Sequence, residues 1–465
     1  MADLNKVRDP NFKEYAYTAR ELVQVYRSRS GKTRGPKLLL GEWVKIIEED
    51  GKIPKSGRVH VAFRGGKGYV ERDDLSRQRQ LEVFFIDVDQ GDAILIQTPN
   101  DRRVLIDGGQ TGDAYEFILN KYRLDKKDHY VDFEAVVATH SDQDHTLGLL
   151  KILRDPRIAV KRLYHNGLFR RSDASKDPGP HDGDRVFGVT DRPSRTGLTS
   201  LMRRFLEAAD TAKKNLLPVT KKMKTVPRWK GRVGLPAGGF VFKRLDAADR
   251  FLPPFSDRSS GMVIEVLWPK ARRTQGKLYY PWYDSAGHTV NGNSITLRVV
   301  HGKNSILLTG DLNEPSMDDL VARYGDALRA HVYKAAHHGS QHFSVDFLRH
   351  VKPNAAVISS GDSKYDQHGH PRAVLLGTIV RHSRRREPAV FSTELAACFR
   401  KLPKAQQKLF REGKGRMYER AIKGIVHLRS DGRRLCLGTV HGRRPSDDPQ
   451  ANIMWKWDVW PRLDH

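Results

Sequence analysis

The chain has 465 residues, with 82 Lys and Arg against 55 Asp and Glu, and therefore a formal net charge of +27. A hydrophobic fraction of 38% is enough to bury a large core, so disorder is not the expected state. No stretch reaches the roughly 18 consecutive apolar residues of a membrane helix, and the N-terminus lacks the apolar core of a signal peptide. We therefore expect a cytoplasmic protein that does not bind a membrane. The two cysteines, Cys398 and Cys436, exclude a disulfide scaffold, so any metal must be held by His and Asp.

The surplus of positive charge favours a polyanionic partner such as nucleic acid, because Lys and Arg that neutralise phosphates release condensed counterions. A bias toward Arg codons is the plainer interpretation, but the basic residues also cluster with aromatic ones. The candidate nucleic-acid-binding residues are Lys221, Lys222, Lys224, Arg228, Lys230, Arg384, Arg385 and Arg386.

Residues 1–78 are predicted to form a small N-terminal domain. A short helical pattern covers the first 30 or so residues, and LLLGEWVKIIEEDG and RVHVAFRGGKGYVERDDL then alternate apolar and polar residues as half-buried strands do. This segment resembles the bacterial SH3-like domain, an all-β barrel; the matching residues are Gly41, Val44, Ile46, Val61, Gly68, Tyr69 and Val70. The resemblance implies a module that positions a protein partner, and a packing appendage is the alternative.

Residues 79–445 are predicted to form a second, α/β domain, because strand and helix patterns alternate almost to residue 380. Its first strands are LEVFFIDVDQGDAILIQT and RRVLIDGG. Residues from about 165 to 260 form a basic insertion with one helix expected from Thr199 to Asn215, and residues 446–465 form a Trp-rich tail.

The sequence His140-Ser-Asp142-Gln-Asp144-His145 places four potential metal ligands within six residues, directly after the apolar strand AVVAT. Chance is a poor explanation for four such residues at fixed positions. The spacing lets alternate side chains face one centre while the others reach a neighbouring one, which favours two adjacent cations. A solvated polar loop that caps the following helix is the alternative.

Three further sites also follow apolar strands: Asp311 in SILLTGD, the pair His337 and His338 in AAHHGS, and His370 in HGHP. Together they supply enough carboxylate and imidazole ligands for two divalent ions. Taken singly, Asp311 could be a turn residue, the His pair a helix cap and His370 part of an ordinary turn.

Seven motifs occur in the order IDVDQGDAILI, VLIDGG, THSDQDH, NSITL, ILLTGD, KAAHHGS and GHP. In this order they resemble the metallo-β-lactamase fold, and within it the nuclease domain of the ComEC/Rec2 DNA-uptake proteins. The resemblance implies an αββα sandwich with a dinuclear site at one edge of its two sheets. It also implies that His140, Asp142, Asp144, His145 and Asp311 are metal ligands, with Asp107 and Asp92 as supporting residues around them.

The chain departs from the wider family at several positions. Asp142 stands where the commoner loop has His, which favours Mn²⁺ or Mg²⁺ over Zn²⁺. Asp89 replaces the usual Gly of the family's DVGQGD pattern, which is DVDQGD here. The third-motif His of the wider family has no clear counterpart, and His165 and His288 are the candidates. The membrane channel of the uptake proteins is absent, so DNA import is not predicted.

These observations predict a metal-dependent phosphodiesterase, and specifically a nuclease that cleaves DNA through water activated by two divalent ions (Mn²⁺, Zn²⁺ or Mg²⁺). The expected catalytic residues are Asp144, His145, Lys334 and His338, with Lys334 and one His of the pair offsetting charge on the phosphate. One alternative is a small-molecule hydrolase of the phosphorylcholine esterase or lactonase type. The other is a catalytically silent nucleic-acid-binding or scaffold protein.

Overall fold

The computed structural model of the chain describes most of its length. The described residues are 15–50, 53–63, 66–122, 124–125, 127–171, 177–226, 233–257, 261–361, 369–393, 399–401, 408, 418–420, 424–442 and 455–459.

The N-terminal part of the chain forms a seven-stranded antiparallel sheet. Its strands are β1 (Tyr15–Thr18), β2 (Leu22–Tyr26), β3 (Arg34–Leu39), β4 (Trp43–Ile46), β5 (Arg58–Phe63), β6 (Gly66–Glu71) and β7 (Leu75–Ser76). Alternation places Val44, Val59 and Val61 in its small core. The all-β region is confirmed, whereas its SH3-like character stays a prediction. The helix expected before residue 30 is wrong from Tyr15 onward, where aromatic and β-branched residues favour strands.

The rest of the chain forms two larger sheets that pack face to face. The nine-stranded sheet, in spatial order, contains β17 (Val241–Arg244), β14 (Arg162–His165), β12 (Ala135–Ala138), β10 (Arg103–Ile106), β9 (Ile94–Gln97), β8 (Leu81–Phe85), β28 (Gly424–Ser430), β29 (Leu435–Gly442) and β30 (Trp455–Val459). The six-stranded sheet contains β18 (Val263–Trp268), β21 (Thr296–His301), β22 (Asn304–Leu308), β23 (Val332–Lys334), β24 (Ala355–Ile358) and β25 (Ala389–Ser392). The central core lies between them.

Helices cover the outer face of each sheet. They are α1 (Asp113–Tyr122), α2 (Gln143–Thr146), α3 (Leu149–Arg154), α4 (Ser200–Thr225), α5 (Ala286–Gly292), α6 (Glu314–Tyr324), α7 (Val345–Val351) and α8 (Ala373–His382). Helices α1, α3 and α4 pack on the nine-stranded sheet, and α6, α7 and α8 pack on the six-stranded sheet. The layers are therefore helix, sheet, sheet, helix, and the predicted α/β sandwich is confirmed.

Three small sheets complete the described strands. They are formed by β11 (Val131–Phe133) with β13 (Ile158–Val160), by β15 (His181–Asp182), β16 (Arg185–Phe187), β19 (Arg272–Thr274) and β20 (Lys277–Pro281), and by β26 (Phe399–Lys401) with β27 (Tyr418–Arg420).

The basic insertion is more regular than the sequence suggested. Helix α4 runs 26 residues, well beyond Asn215, because its buried positions Leu216, Val219 and Met223 continue the apolar face through the exposed Pro218. Strand β17 then joins the large sheet by parallel pairing with β14. Within the described part of the chain, no helix is both long enough and apolar enough to cross a membrane.

Arginine side chains join the N-terminal sheet to the sandwich. The guanidinium of Arg429 on β28 donates to the Leu40 carbonyl at 3.0 Å, and that of Arg434 donates to the Ala19 carbonyl at 2.6 Å. Both bonds satisfy backbone acceptors at the junction, so the sheet has a defined place on the sandwich.

Candidate metal centre

The polar side chains of interest follow parallel strands whose carboxyl ends meet at one edge of the two sheets. Asp107 follows β10, and the loop from His140 to His145 follows β12. Asp311 follows β22 and His338 follows β23. Parallel pairing places these ends at one edge, which is where ligands bind in open α/β sheets.

Asp107 is fully buried and organises the loop that carries the histidines. One of its oxygens accepts the Thr139 backbone N–H at 2.7 Å. The other accepts the Thr139 hydroxyl at 2.7 Å and contacts His145 Nδ1 at 2.8 Å. Because Asp107 holds Nδ1, the Nε2 atom of His145 faces the opposite direction.

Four side chains converge on one point beyond His145 Nε2. That atom lies 3.2 Å from one oxygen of Asp311, and His338 Nε2 lies 3.2 Å from the other. Asp144 Oδ2 lies 3.1 Å from His338 Nε2. One ligand atom from each of Asp144, His145, Asp311 and His338 lies within 4.8 Å of the others.

A left-handed turn places His338 in the cluster. His337 and His338 have φ of 48° and 53°, and such values are uncommon outside Gly and store strain that the surroundings must hold. The Ser359 carbonyl holds His338 through Nδ1 at 3.0 Å, so its Nε2 points at the carboxylates. His337 turns aside: its Nε2 lies 3.9 Å from Asp311 Oδ2, and its ring centroid lies 5.7 Å from that of His370.

The buried charges shift one another's pKa values. Burial alone would lower the pKa of His338, but Asp311 and Asp144 raise it to about 10. The pKa of His145 is also raised despite burial, by Asp311 and Asp107. In turn, His145 and His338 hold the pKa values of Asp144 and Asp311 below the ordinary range, against the effect of burial. A bound metal would oppose these shifts of the imidazole pKa values, since ligand histidines must be neutral.

The donor set fits a divalent cation. Among the described residues beside the cluster, the buried His140 Nε2 makes no hydrogen bond, and it lies 3.9 Å from Asp142 Oδ2. Leaving such a group unsatisfied costs free energy, and a cation would satisfy it. Imidazole nitrogens together with carboxylate oxygens suit Zn²⁺ or Mn²⁺.

Asp142, predicted as a ligand, lies outside this set. Its two oxygens receive Nε and Nη2 of Arg170 at 2.5 and 2.8 Å. The Arg170 side chain comes from the segment after β14, and nothing in the spacing of the motifs revealed this pairing. His140 remains beside the cluster, with its ring centroid 4.1 Å from that of His145 and its Nδ1 near the hydroxyls of Thr139 and Ser294.

Lys334 does not have the placement expected of a phosphate-contacting residue. Its side chain is completely buried, forms an ion pair with Asp92 and donates to the Gly310 carbonyl at 3.2 Å. Asp92 also lies 3.7 Å from His338 Nδ1. The buried pair therefore lies beside His338, and Lys334 is not exposed to a substrate.

Neither candidate for the third-motif histidine joins the four converging side chains. His165 is buried, its Nε2 lies 3.2 Å from the Asp191 carbonyl, and its Nδ1 accepts the Gly167 N–H at 3.0 Å. Both ring nitrogens are therefore committed to the backbone. His288 is exposed on the first turn of α5, with its ring 5.8 Å from that of His342.

The basic candidates fall into three groups. Lys221, Lys222 and Lys224 are exposed on the last turns of α4. Arg228 and Lys230 lie outside the described residues. In the group after α8, Arg386 is exposed and Arg385 is half-buried, whereas Arg384 donates to the carbonyls of Lys352 and Ala330 at 2.8 and 2.9 Å and so has a structural use.

Sequence reasoning missed the residues that orient the ligands. Thr139, Ser294 and Ser359 act through a hydroxyl or a carbonyl next to a histidine, and these common residue types carry no pattern of their own. Arg170 is one of many arginines in a basic segment. Thr139 and Ser359 directly follow β12 and β24, and this position is a signal that could have indicated them, whereas Ser294 lies before β21.

The sequence profile of the Metallo-beta-lactamase superfamily matches residues 86–361, more than half of the chain, and includes all four converging side chains. The chain belongs to the metallo-β-lactamase superfamily. This membership agrees with the sandwich and with a metal-dependent hydrolase.

Curated relatives of this superfamily member include ComE operon protein 3 of Bacillus subtilis, 32% identical over 316 residues, which are 65% of this chain and 31% of that protein. Competence protein ComA of Neisseria gonorrhoeae is 39% identical over 93 residues, which are 20% of this chain and 13% of that protein. The chain thus matches less than a third of either relative's length.

Among solved structures, CmlA, a diiron β-hydroxylase from Streptomyces venezuelae, has a TM-score of 0.34 at 11% identity, with 69% of this chain and 54% of that chain covered. A likeness of this degree carries no argument about function.

Proposed function

We propose that this metallo-β-lactamase superfamily protein is a metal-dependent phosphodiesterase, and specifically a nuclease that cleaves DNA. The observation that carries the proposal is the convergence of Asp144, His145, Asp311 and His338, three of them almost completely buried, at the carboxyl ends of the sheet strands. A divalent cation held there would lower the pKa of a water molecule and polarise a phosphoryl oxygen.

The protein's own residues prepare the site for this chemistry. Asp107 fixes the tautomer and direction of His145, and the Ser359 carbonyl does the same for His338. The ion pair of Lys334 with Asp92 lies behind His338 and keeps that side of the centre free of water, since both side chains are buried. Asp144 has 22% of its side chain exposed, so the substrate would approach from its side.

DNA is the proposed substrate for two reasons. The net charge of +27 favours a polyanion, and the exposed lysines on the end of α4 offer contacts to a phosphate backbone. One relative is named a competence protein, which favours DNA over a small phosphodiester. We further propose that the N-terminal sheet is an SH3-like module for a protein partner and that the protein acts in the cytoplasm. The domains would follow the predicted boundaries, except that Trp455–Val459 of the predicted tail pairs with β29 and belongs to the sandwich.

The test is incubation of circular plasmid with the purified protein and Mn²⁺, Mg²⁺ or Zn²⁺, beside EDTA. We expect metal-dependent nicking or linearisation that EDTA and Asp144→Ala abolish. Asp318→Asn, which changes an exposed aspartate on α6, is the matched control and should cleave like the unmodified protein. Unchanged cleavage in Asp144→Ala would refute the proposal.

Two other outcomes point to the alternatives. Cleavage of small phosphodiester or lactone substrates, with no activity on any nucleic acid and no salt-sensitive DNA affinity, would favour a small-molecule hydrolase. Bound metal without turnover of either substrate class would favour a silent binding protein.

A further inference from the structure

The contact between Arg170 and Asp142 is an ion pair at the edge of the metal centre. Two parallel N–H donors of the guanidinium face the two carboxylate oxygens, at 2.5 and 2.8 Å. The side chains are only 14% and 23% exposed, so water screens the pair weakly. Such bidentate pairs are among the strongest hydrogen-bonded ion pairs in proteins.

The segment that carries Arg170 is fixed on both sides. The neighbouring Phe169 packs in the outer core of the nine-stranded sheet, and the Arg170 carbonyl accepts the backbone N–H of Thr199 at 3.0 Å. The adjacent Arg171 makes backbone bridges to Asp177 and Leu198. Because the backbone at Arg170 is anchored in this way, its guanidinium is held next to the Asp142 carboxylate.

The polar side chains of the centre would serve two adjacent cations unequally. Asp144, His145, Asp311 and His338 converge and can serve one ion. A second ion beside His140 would find its Nε2, which makes no hydrogen bond and lies 3.9 Å from Asp142 Oδ2. It would meet Asp142 already neutralised by Arg170.

We propose that Arg170 is a built-in cation that competes with a second divalent ion for Asp142, so that this chain binds one ion tightly and a second only weakly. His165, with both ring nitrogens committed to backbone groups, does not compensate for the loss. The inference rests on the metal centre of the proposed function but not on its substrate.

The test measures Mn²⁺ binding to the full-length protein by equilibrium dialysis and by electron paramagnetic resonance, without reference to activity. The unmodified protein should bind one Mn²⁺ tightly with the six-line spectrum of an isolated ion. Arg170→Met should tighten the second site at least about tenfold and produce the spectrum of two coupled ions, because Asp142 is released. Arg170→Lys, which keeps the charge but loses the bidentate geometry, should have a smaller effect in the same direction.

Two controls isolate the pair. Arg195→Met removes another Arg–Asp ion pair of the same insertion, with Asp210, and should leave Mn²⁺ binding unchanged. The double variant Arg170→Met with Asp142→Asn should return to one tight ion, since the released carboxylate is gone.

Two tight and equal ions in the unmodified protein would overturn the inference about Arg170 while leaving the proposed hydrolase intact. The inference would also be overturned if Arg170→Met and Arg170→Lys both fold and still bind only one Mn²⁺ tightly. Absence of any Mn²⁺ binding in the unmodified protein would overturn both this inference and the metal centre.

Discussion

At the scale of single residues, the candidate metal centre depends on a carboxylate and a carbonyl that orient His145 and His338. Asp107 holds His145 by its Nδ1, and the Ser359 carbonyl holds His338 in the same way. These contacts select the ring nitrogen that faces the centre, and such outer contacts affect metal affinity almost as strongly as the ligands themselves.

Asp107→Ala should weaken Mn²⁺ binding by about 10- to 100-fold, because His145 would lose its fixed orientation. Equilibrium dialysis of the purified variant measures this change. Asp155→Asn is the control, since it alters a buried carboxylate that is paired with Arg157 and Tyr115 away from the four ligands. Equal affinity in Asp107→Ala and the unmodified protein would contradict the role of Asp107.

The free energy of unfolding should depend on pH through His165. Burial lowers its pKa to about 3 in the folded protein, whereas in the unfolded chain the pKa is near the ordinary 6.5. Below pH 6.5 the unfolded chain therefore binds a proton that the folded protein does not, and stability falls as the pH falls toward 3.

As the pH falls from 7 to 5, we expect His165 to lower the free energy of unfolding by about 2 kcal/mol. His165→Asn should remove that part of the pH dependence, as measured by urea unfolding at the two values. An identical decrease in the variant and in the unmodified protein would show that His165 is not buried in its neutral form.

At the scale of elements, the start of α3 packs directly on the turn that contains Asp107. Gly148 donates its N–H to the Gly109 carbonyl at 2.9 Å, and Gly108 donates to the His145 carbonyl at 2.8 Å. A Cβ at Gly148 would lie 1.9 Å from the Gly108 carbonyl oxygen, far below any real contact distance. The loop and the turn can approach this closely because both contacting positions are Gly.

Gly148→Ala should therefore destabilise the protein by about 1–3 kcal/mol and weaken Mn²⁺ binding, because the added methyl group pushes the loop away from the turn. Urea unfolding and a metal titration measure the two effects. Gly377→Ala is the control: a Cβ there meets open space on α8, so stability should be unchanged or rise by up to about 1 kcal/mol. Equal stability of the two variants would be inconsistent with the close packing.

At the scale of the whole molecule, positive charge covers the solvent face of α4. The exposed basic residues along this helix are Arg203, Arg204, Lys213, Lys214, Lys221, Lys222 and Lys224. The exposed acidic residues Glu207 and Asp210 are both in ion pairs with arginines. A long face on which positive charge predominates favours contact with a phosphate backbone and binding that weakens with salt.

The triple variant Lys221→Gln, Lys222→Gln and Lys224→Gln should bind duplex DNA more weakly and with a smaller dependence on salt. If all three lysines contact phosphates, the slope of log affinity against log salt should fall in magnitude by about 2–3. The matched control replaces the exposed Lys37, Lys67 and Lys277 and removes the same charge elsewhere. Equal slopes in the two variants would mean that net charge alone, and not α4, attracts the DNA.

The sequence by itself determined the sandwich and most of the centre. Alternating apolar strands and helices dictate layers, and the motif at residues 140–145 with Asp311 and the His pair lies at strand ends whatever the details of packing. Local spacing could not tell which imidazole of the pair turns inward, because that depends on the left-handed turn and on the Ser359 carbonyl.

Tertiary structure alone decided which charged groups meet. Arg170 covers Asp142 across 28 positions of sequence, and Lys334 pairs with Asp92 between the two halves of the chain. Ion pairs of this kind are set by how the sheets pack and not by periodicity along the chain, so their partners become visible only when distant segments are brought together. For the same reason the sequence suggested ligand roles for Asp142 and His165, and the fold gave their polar atoms other partners.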